Sequence, residues 1–417
     1  MNLPKSLHRR FKDRLLNTVL APHLDAFVEH LSRGRYAPNT VDRYLGCIAH
    51  FARWLWMSSV AVERLDEASV IQFLDDHIPG CDCPRPAPRV LRDLRAACGH
   101  LLHVLRDRGA VAEPALPTGP VADELRCFDE HMRQVRGLAA KTRGARIRIV
   151  DRLLLQRFAS GPVAIAELRP GEIRQFIADQ LEHCGTASNA GAVASALRAY
   201  FRYRTTCGDQ VHALAGVVFS PAHWSLASLP RSLSTADIER LLASFTSELP
   251  SPRRGYAVVR CALDMGLRAS EIATLALTDI DWHDGTVTLR RTKSRRQDRV
   301  PLPAVTGRAI AEYLRHERPA TINPAVFVRR HAPHDVPIGV DAVRRVIRDA
   351  YRRIGLTHTR THALRHTLAR RLLEHGSSLK EVADVLRHRS LNTSLIYAKL
   401  DSRRLAAVAL PWPGSAA

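Results

Sequence analysis

In the N-terminal half of the chain, apolar residues recur at steps of three and four, which is the period of amphipathic helices. One pattern occurs twice, with its second copy about a hundred residues after the first. The first copy contains FVEHL at 27–31 and VIQFL at 70–74, and the second contains FDEHM at 128–132 and IRQFI at 173–177. Each copy predicts a small bundle of about four helices, and the pair indicates a duplication. Two unrelated bundles would also produce so loose a match.

Proline-rich stretches separate the predicted domains. The stretch 110–122 predicts a linker, and 220–233 predicts a second boundary, after which Ser234 is a suitable N-cap. The C-terminal part is predicted to be helical, with one hairpin that carries Lys293 near its tip. Its strands are expected at 286–289 and 299–302, and its helices at about 256–265, 270–275, 308–316, 340–354, 363–375, 379–386 and 393–400. We therefore predict a mainly α protein with a small β-hairpin or sheet in the last of three domains, at 1–112, 120–215 and 228–417.

The charge balance favours a polyanionic partner. The 417 residues include 62 Lys and Arg against 41 Asp and Glu, which gives a net charge of +21 and a pI of about 10.5. Arg predominates, and its planar guanidinium suits phosphate recognition. A generally basic protein without such a partner would show the same balance. We expect no membrane span, because no run of about 18 apolar residues occurs. Eight Cys in a chain of this length fit a reducing cytoplasm.

One cluster of Cys and His residues raises the question of a metal. Its members are His77, Cys81, Cys83, Cys98, His100 and His103. The Cys-x-Cys spacing is tighter than that of common zinc sites, and Pro79 and Pro84 predict a turn. Buried thiols and a loop histidine are the default explanation of the cluster. We therefore expect neither a metal nor a cofactor.

Four groups of residues in the last domain suggest chemistry. They are GLRASE at 266–271, Lys293 on the hairpin, HALRH at 362–366, and His388 with Tyr397 nine residues later. Taken singly, each has an ordinary structural explanation. In this order and spacing, however, they resemble the tyrosine recombinase (phage integrase) family. The resemblance covers about the last 185 residues strongly and the preceding 110 or so more loosely.

The resemblance implies an enzyme that cuts and rejoins DNA through a 3′-phosphotyrosyl intermediate, with Tyr397 as the nucleophile. Preorganised guanidiniums would stabilise the negative charge that develops on the phosphate, without a metal. Lys293 would be the general acid, although Arg291, Arg295 or Arg296 on the same hairpin could take its place. Glu271 would support a neighbouring basic group, and His366 would be a packing residue. The implied catalytic set is Arg268, Lys293, His362, Arg365, His388 and Tyr397.

The resemblance also implies a fold and partners. The two N-terminal bundles would be SAM-like, and the second would grip double-stranded DNA at specific sites as part of a homotetramer or a hetero-assembly. The residues expected to contact DNA are Thr142, Arg143, Arg146, Arg198, Arg295 and Arg296. A role in a mobile genetic element, in the cytoplasm on the nucleoid, is expected. The alternative function is a catalytically silent accessory subunit of a multi-recombinase transposon.

Two features depart from the family pattern. Arg387 stands where the family usually has Gly before the histidine, so a bulky cation is predicted beside the phosphate. The additional bundle at 20–110 precedes the usual clamp at 121–210, and it would grip further DNA or a partner protomer.

Overall fold

The computed structural model describes residues 4, 7–159, 161–184, 187–219, 231–290, 297–357, 359–388 and 394–400. The chain forms two compact units. One combines residues 1–113 with 226–417, and the other comprises residues 114–225. Lys293, Arg295, Arg296 and the tail beyond residue 400 lie outside the described residues.

Residues 7–113 form helices around a continuous apolar core. Asp66 caps one of these helices by accepting a hydrogen bond from the backbone N–H of Ser69 at 2.8 Å. A π-helical turn, Phe73–His77, follows the same helix. The core combines Phe27, Phe51, Phe73, Leu94 and Leu101, all of them fully buried. The helices are α1 (Arg9–Leu16), α2 (Leu24–Arg33), α3 (Pro38–Met57), α4 (Glu67–Gln72) and α5 (Leu91–Asp107).

Residues 114–225 form the second unit, with its own core. Pro120 occupies the first turn of its first helix, where the missing N–H costs no hydrogen bond. The predicted linker is therefore shorter than expected, because helix begins at Pro120 rather than after residue 122. The core includes Phe128, Leu154, Phe176, Leu197 and Phe201. The helices are α6 (Pro120–Gln134), α7 (Ala140–Phe158), α8 (Pro170–Cys184), α9 (Ala187–Thr206) and α10 (His212–Gly216).

Residues 231–400 contain helices and, among the described residues, one three-stranded antiparallel sheet in the order β1-β2-β3. Ser234 caps the first helix as predicted, accepting from the Asp237 N–H at 3.1 Å. The helices are α11 (Thr235–Ala243), α12 (Pro252–Asp264), α13 (Ala269–Thr274), α14 (Ala304–His316), α15 (Val340–Arg353), α16 (Ala363–Glu374) and α17 (Leu379–Val385). The strands are β1 (Ile280–Asp281), β2 (Thr286–Leu289) and β3 (Asp298–Pro301), with Val287 opposite Val300.

The predicted fold class, mainly α with a small sheet, is confirmed. Two details differ from the prediction. β1 was missed because two residues are too few to show alternation, and the last predicted helix is a 3-10 helix, Leu395–Leu400. Each predicted domain encloses a separate hydrophobic core, but the boundaries at 112, 120, 215 and 228 stay predictions. Within the described residues, every helix is too short or too polar to cross a membrane.

Candidate active site

The site is built around the backbone carbonyl of Gly266, at the end of α12. Gly266 has φ +58°, and a Cβ there would lie 2.9 Å from Leu386 Cδ2 and 3.0 Å from Leu368 Cδ2. Only glycine fits both the left-handed backbone and this close approach. The Gly266 carbonyl accepts hydrogen bonds from Arg365 Nη1 and, at 3.3 Å, from Arg387 Nη2. The glycine of the GLRASE motif therefore lets α12 and α16 meet the segment at 386–388.

Glu271 lies between two arginines in the first turn of α13. Its carboxylate accepts from the Arg268 backbone N–H at 2.9 Å and from Arg268 Nη1 at 2.6 Å. It also accepts from Arg387 Nη2 at 2.9 Å, and its side chain is only 1% exposed. Burial by itself would raise the pKa of Glu271, but Arg387 and Arg268 lower it below its ordinary value. Glu271 is therefore ionised and orients both guanidiniums, as the sequence suggested for a neighbouring basic group.

The cluster has an excess of positive charge. Among the described residues, Arg268, Arg365 and Arg387 surround the Glu271 carboxylate, and Asp298 is a second acidic group near Arg387. Arg365 also donates to the carbonyl of Leu386. Burial, with the charges of Arg268 and Arg387, lowers the pKa of Arg365 to about 9, so this group remains protonated at neutral pH. A buried cluster with this imbalance suits an anion that brings its own negative charge. The Arg268 side chain is 20% exposed and gives that anion access from solvent.

Tyr397 lies beside this cluster on the 3-10 helix. Its side chain is 1% exposed and packs with Leu373, Val382 and Leu386. Its hydroxyl is 2.8 Å from Nδ1 of His366. Burial raises the pKa of Tyr397 to about 12, while the positive charges of Arg365 and Arg268 oppose that rise. The phenol is therefore protonated at neutral pH.

Two histidines flank the Tyr397 ring. The His366 ring meets it edge-on, and the His388 ring stacks on it with 8° between the planes and 6.2 Å between the centroids. Burial lowers the pKa of each histidine to about 4, and neighbouring charges add to the effect. Both imidazoles are therefore neutral at pH 7, and His366 Nδ1 can accept the Tyr397 proton. His388 Nδ1 forms a 2.6 Å hydrogen bond with Ser394 Oγ.

The structure brings most of the sequence-predicted residues into one cluster. Arg268, Glu271, Arg365, His388 and Tyr397 are joined through the contacts described above. His362 is exposed directly before α16 and contributes to the lowered pKa of His366. Lys293 lies outside the described residues, so its role as general acid stays a prediction.

Sequence reasoning missed the roles of two residues. His366 was expected to be a packing residue, yet it bonds the tyrosine hydroxyl. Its position four residues after His362, on the same helical face, was the available signal. Arg387 was expected to lie beside the phosphate as an unexplained cation. In the structure it is 8% exposed and paired with Glu271, and its φ of +54° explains why glycine suits this position. Its place relative to a phosphate stays a prediction.

The expected DNA-contacting residues of the second unit lie on α7 and α9. Arg143 is half-buried in an ion pair with Asp129 at 2.8 Å. Arg146 reaches Ser195 Oγ at 3.3 Å, and Arg198 reaches the Val218 carbonyl at 2.8 Å. These contacts fix the side chains against their own bundle, so DNA contacts by these arginines stay predictions. Thr142, in the first turn of α7, is exposed.

Comparison with known proteins places this site in a family. The model of the phage integrase family matches residues 231–404. A Sinorhizobium fredii protein named as an integrase/recombinase, y4rA, is 33% identical over 95% of this chain and 95% of its own length. Tyrosine recombinase XerC of Mesorhizobium japonicum is 31% identical over 58% of this chain and 77% of its own length.

Solved structures show the same fold. The Tn1549 transposon integrase (residues 82–397), in complex with transposon right end DNA, matches with a TM-score of 0.53 and 17% identity. That match covers 68% of this chain and 99% of the integrase chain. The family model and the similarity to y4rA over 95% of both chains show that the chain belongs to the phage integrase family of tyrosine recombinases. It is accordingly a DNA-cleaving and rejoining enzyme of site-specific recombination.

Proposed function

We propose that Tyr397 attacks a DNA phosphate and forms a 3′-phosphotyrosyl intermediate during recombination of a mobile genetic element. The observation that carries this proposal is the convergence of Arg268, Arg365 and two histidines on a single buried tyrosine. A phosphodiester supplies the anion that the excess of guanidinium charge requires. The full-length similarity to a protein named as an integrase/recombinase supports the role in a mobile element.

One bond forms and one bond breaks in the proposed step. The bond from Tyr397 Oη to phosphorus forms, and the bond from phosphorus to the 5′-oxygen breaks. The phenolic proton passes to His366 Nδ1, which lies 2.8 Å away. The departing 5′-oxygen takes a proton from Lys293, as the family resemblance implies. Since the phosphotyrosyl ester retains the energy of the broken bond, a second 5′-hydroxyl can reseal the strand without ATP.

The arginines stabilise the transition state in this scheme. Arg268 and Arg365 donate to non-bridging oxygens, whose charge grows as phosphorus becomes five-coordinate. Each guanidinium is already fixed, by Glu271 or by backbone carbonyls, so little reorganisation is needed during the reaction. His362 and His388 are proposed to contact the same phosphate. Removing one preorganised donor of this kind typically slows reactions by about 10²–10³-fold.

Binding of double-stranded DNA is proposed to involve the helical unit at 114–225 and an assembly of several protomers. The structural neighbour solved with transposon DNA and the net charge of +21 support this proposal. We propose the domains 1–112, 120–215 and 228–417 as an additional bundle, a DNA clamp and a catalytic domain, acting on nucleoid DNA in the cytoplasm.

The test is a trapping experiment with Tyr397→Phe. Nicked duplexes tiled across the DNA that flanks the gene serve as suicide substrates, and a denaturing gel shows any covalent protein–DNA adduct. The wild type is expected to form the adduct, and mass spectrometry is expected to find the DNA on Tyr397. The Phe variant should bind the same duplexes with unchanged affinity and form no adduct.

Tyr351→Phe is the matched control, because Tyr351 is an equally buried tyrosine on α15. It should form the adduct normally. An adduct in the Tyr397→Phe variant would show that the nucleophile is assigned wrongly. Binding without any adduct by the wild type would favour the accessory-subunit function instead.

A further inference from the structure

We propose that His50, His77, Cys81 and Cys83 form a structural zinc site in the N-terminal segment. One ligand atom from each of these residues lies within 4.8 Å of every other. His50 comes from the middle of α3, His77 ends the π-helical turn, and the two cysteines lie in the loop that follows. Two thiolates and two imidazoles are a donor set that tetrahedral zinc prefers in structural sites.

The spacing of the donor atoms matches a tetrahedron around zinc. With Zn–S of about 2.3 Å and Zn–N of about 2.1 Å, a tetrahedral site separates a sulfur from a nitrogen by roughly 3.6 Å. His77 Nε2 lies 3.6 Å from Cys83 Sγ, and His50 Nε2 lies 3.2 Å from Cys81 Sγ. These two donor pairs lie within about 0.4 Å of the tetrahedral separation, and every other pair lies within 4.8 Å.

The second nitrogen of His50 is fixed in the way that metal sites require. His50 Nδ1 lies 2.8 Å from the carbonyl of Pro88. Because a carbonyl only accepts hydrogen bonds, Nδ1 must carry the proton, and the lone pair is then on Nε2, which points at Cys81. A ligating histidine typically has such a backbone partner, which sets its tautomer and its orientation. His50 is also completely buried, so its Nε2 has no access to water.

The proposed ion would fasten a loop that has no regular structure. Residues 81–90 form neither helix nor strand. Arg14 already reaches over this loop, donating to the Pro84 carbonyl at 2.8 Å and the Pro86 carbonyl at 2.9 Å. Zinc would add a cross-link from the same loop to α3 and to the π-helical turn. The ion would thus stabilise a proline-rich loop that has little apolar packing of its own.

The site differs from the cluster that the sequence suggested. Cys98 is fully buried in the apolar face of α5, and His100 is hydrogen bonded to His30 and Tyr36, so neither belongs to it. The fourth member of the site is His50, which lies 27 positions before His77 and was not part of the cluster that the sequence suggested. The Cys-x-Cys spacing is tight because both sulfurs come from one turn, while the two imidazoles come from separate elements.

The experiment measures zinc directly on the full chain, purified without chelators. Elemental analysis is expected to find close to one zinc per chain. After exchange into cobalt, the protein is expected to show a thiolate-to-cobalt charge-transfer band and the visible spectrum of a tetrahedral site. Wild-type protein with neither zinc nor a cobalt–thiolate band would overturn the proposal, and would leave the four residues as a metal-free hydrogen-bonded cluster.

Variants identify the ligands. Cys83→Ser should lose the bound zinc, and any cobalt that it still binds should show about half of the charge-transfer intensity per ion. His77→Cys, which keeps a zinc-binding group, should retain the ion. Cys127→Ser, which changes an exposed cysteine of the other unit, is the matched control and should retain both signals. Full zinc content in a Cys81→Ser, Cys83→Ser double variant would place the metal elsewhere. These readouts do not depend on DNA cleavage, so they stand whether or not the catalytic proposal holds.

Discussion

Replacing Glu271 by Gln tests whether this carboxylate stabilises the arginine cluster. The substitution keeps the shape of the side chain but removes the negative charge that lies between Arg268 and Arg387. Glu271 is 1% exposed and Arg387 is 3% exposed at the side chain, so water cannot compensate. The amide would also direct a donor toward one of the guanidiniums. We therefore expect the region around α13 and the 386–388 segment to become less stable.

The size of the effect follows from burial. Removing one partner of a buried ion pair typically costs about 3–5 kcal/mol, because the other charge is left uncompensated. Arg268 is 20% exposed and will regain some hydration, which places the expected loss near the lower end of that range. Since about 1.4 kcal/mol corresponds to a factor of ten in an equilibrium constant, a loss of about 3 kcal/mol raises the population of the locally open state by roughly a hundredfold.

Hydrogen exchange of the intact chain is the suitable assay, since it separates this region from the other helical segments. Peptides from 266–275 and 363–388 should exchange about a hundredfold faster in Glu271→Gln. Glu312→Gln is the control, because the ion pairs of Glu312 within the described part of the chain, to Arg253 at 3.8 Å and His316 at 3.6 Å, are long and half-exposed. Such pairs contribute about 0–1 kcal/mol, so its exchange should change by less than roughly fivefold.

A second variant tests the cause. In an Arg387→Met background the excess of positive charge is smaller, so Glu271→Gln should cost less than it does alone. Contacting residues of this kind couple by about 0.5–3 kcal/mol. If the hydrogen-exchange rates of Glu271→Gln stay within threefold of those of the wild type, this carboxylate does not hold the cluster together.

Three further outcomes are expected. His366→Ala should slow formation of the covalent adduct by about 10²–10⁴-fold near neutral pH, with partial recovery at higher pH, whereas an unchanged pH–rate profile would exclude His366 as the proton acceptor. The pKa values of His366, His388 and His100 are lowered from 6.5 to about 4, so between these pH values the unfolded chain binds more protons than the folded chain. The melting temperature should therefore fall as the pH drops from 6.5 toward 4. A constant melting temperature across that range would contradict these shifts. DNA affinity should fall by about 10³–10⁵-fold between 50 and 200 mM salt if six to ten phosphates are contacted, and a flat salt dependence would contradict the basic clamp.

Most of the fold was predictable because its helices follow local sequence patterns. Helical periodicity located α12 to α17 within a few residues, and Ser234 marked a helix start through a cap that depends on neighbours three residues away. β1 has only two residues and forms because β2 lies beside it, so no local pattern reveals it.

The site was predictable as a set of residues and less so as a set of contacts. The spacing of motifs identified Arg268, Arg365 and Tyr397 through family resemblance. The partnership of Arg387 with Glu271 spans 116 positions along the chain, and the bond from His366 to Tyr397 spans 31. Contacts of this kind depend on how the helices pack against each other. The periodicity of a single sequence gives no information about that packing.

The depth at which Tyr397 is buried has a consequence for when the enzyme can act. A hydroxyl on a side chain that is 1% exposed cannot touch the backbone of an external duplex. On the proposed assignment of Tyr397 as the nucleophile, the segment 394–400 has to shift before the first strand is cut, and contacts absent in the isolated chain supply the free energy for that shift. On that assignment, strand cleavage depends on docking to DNA, and a molecule that has not docked does not cut.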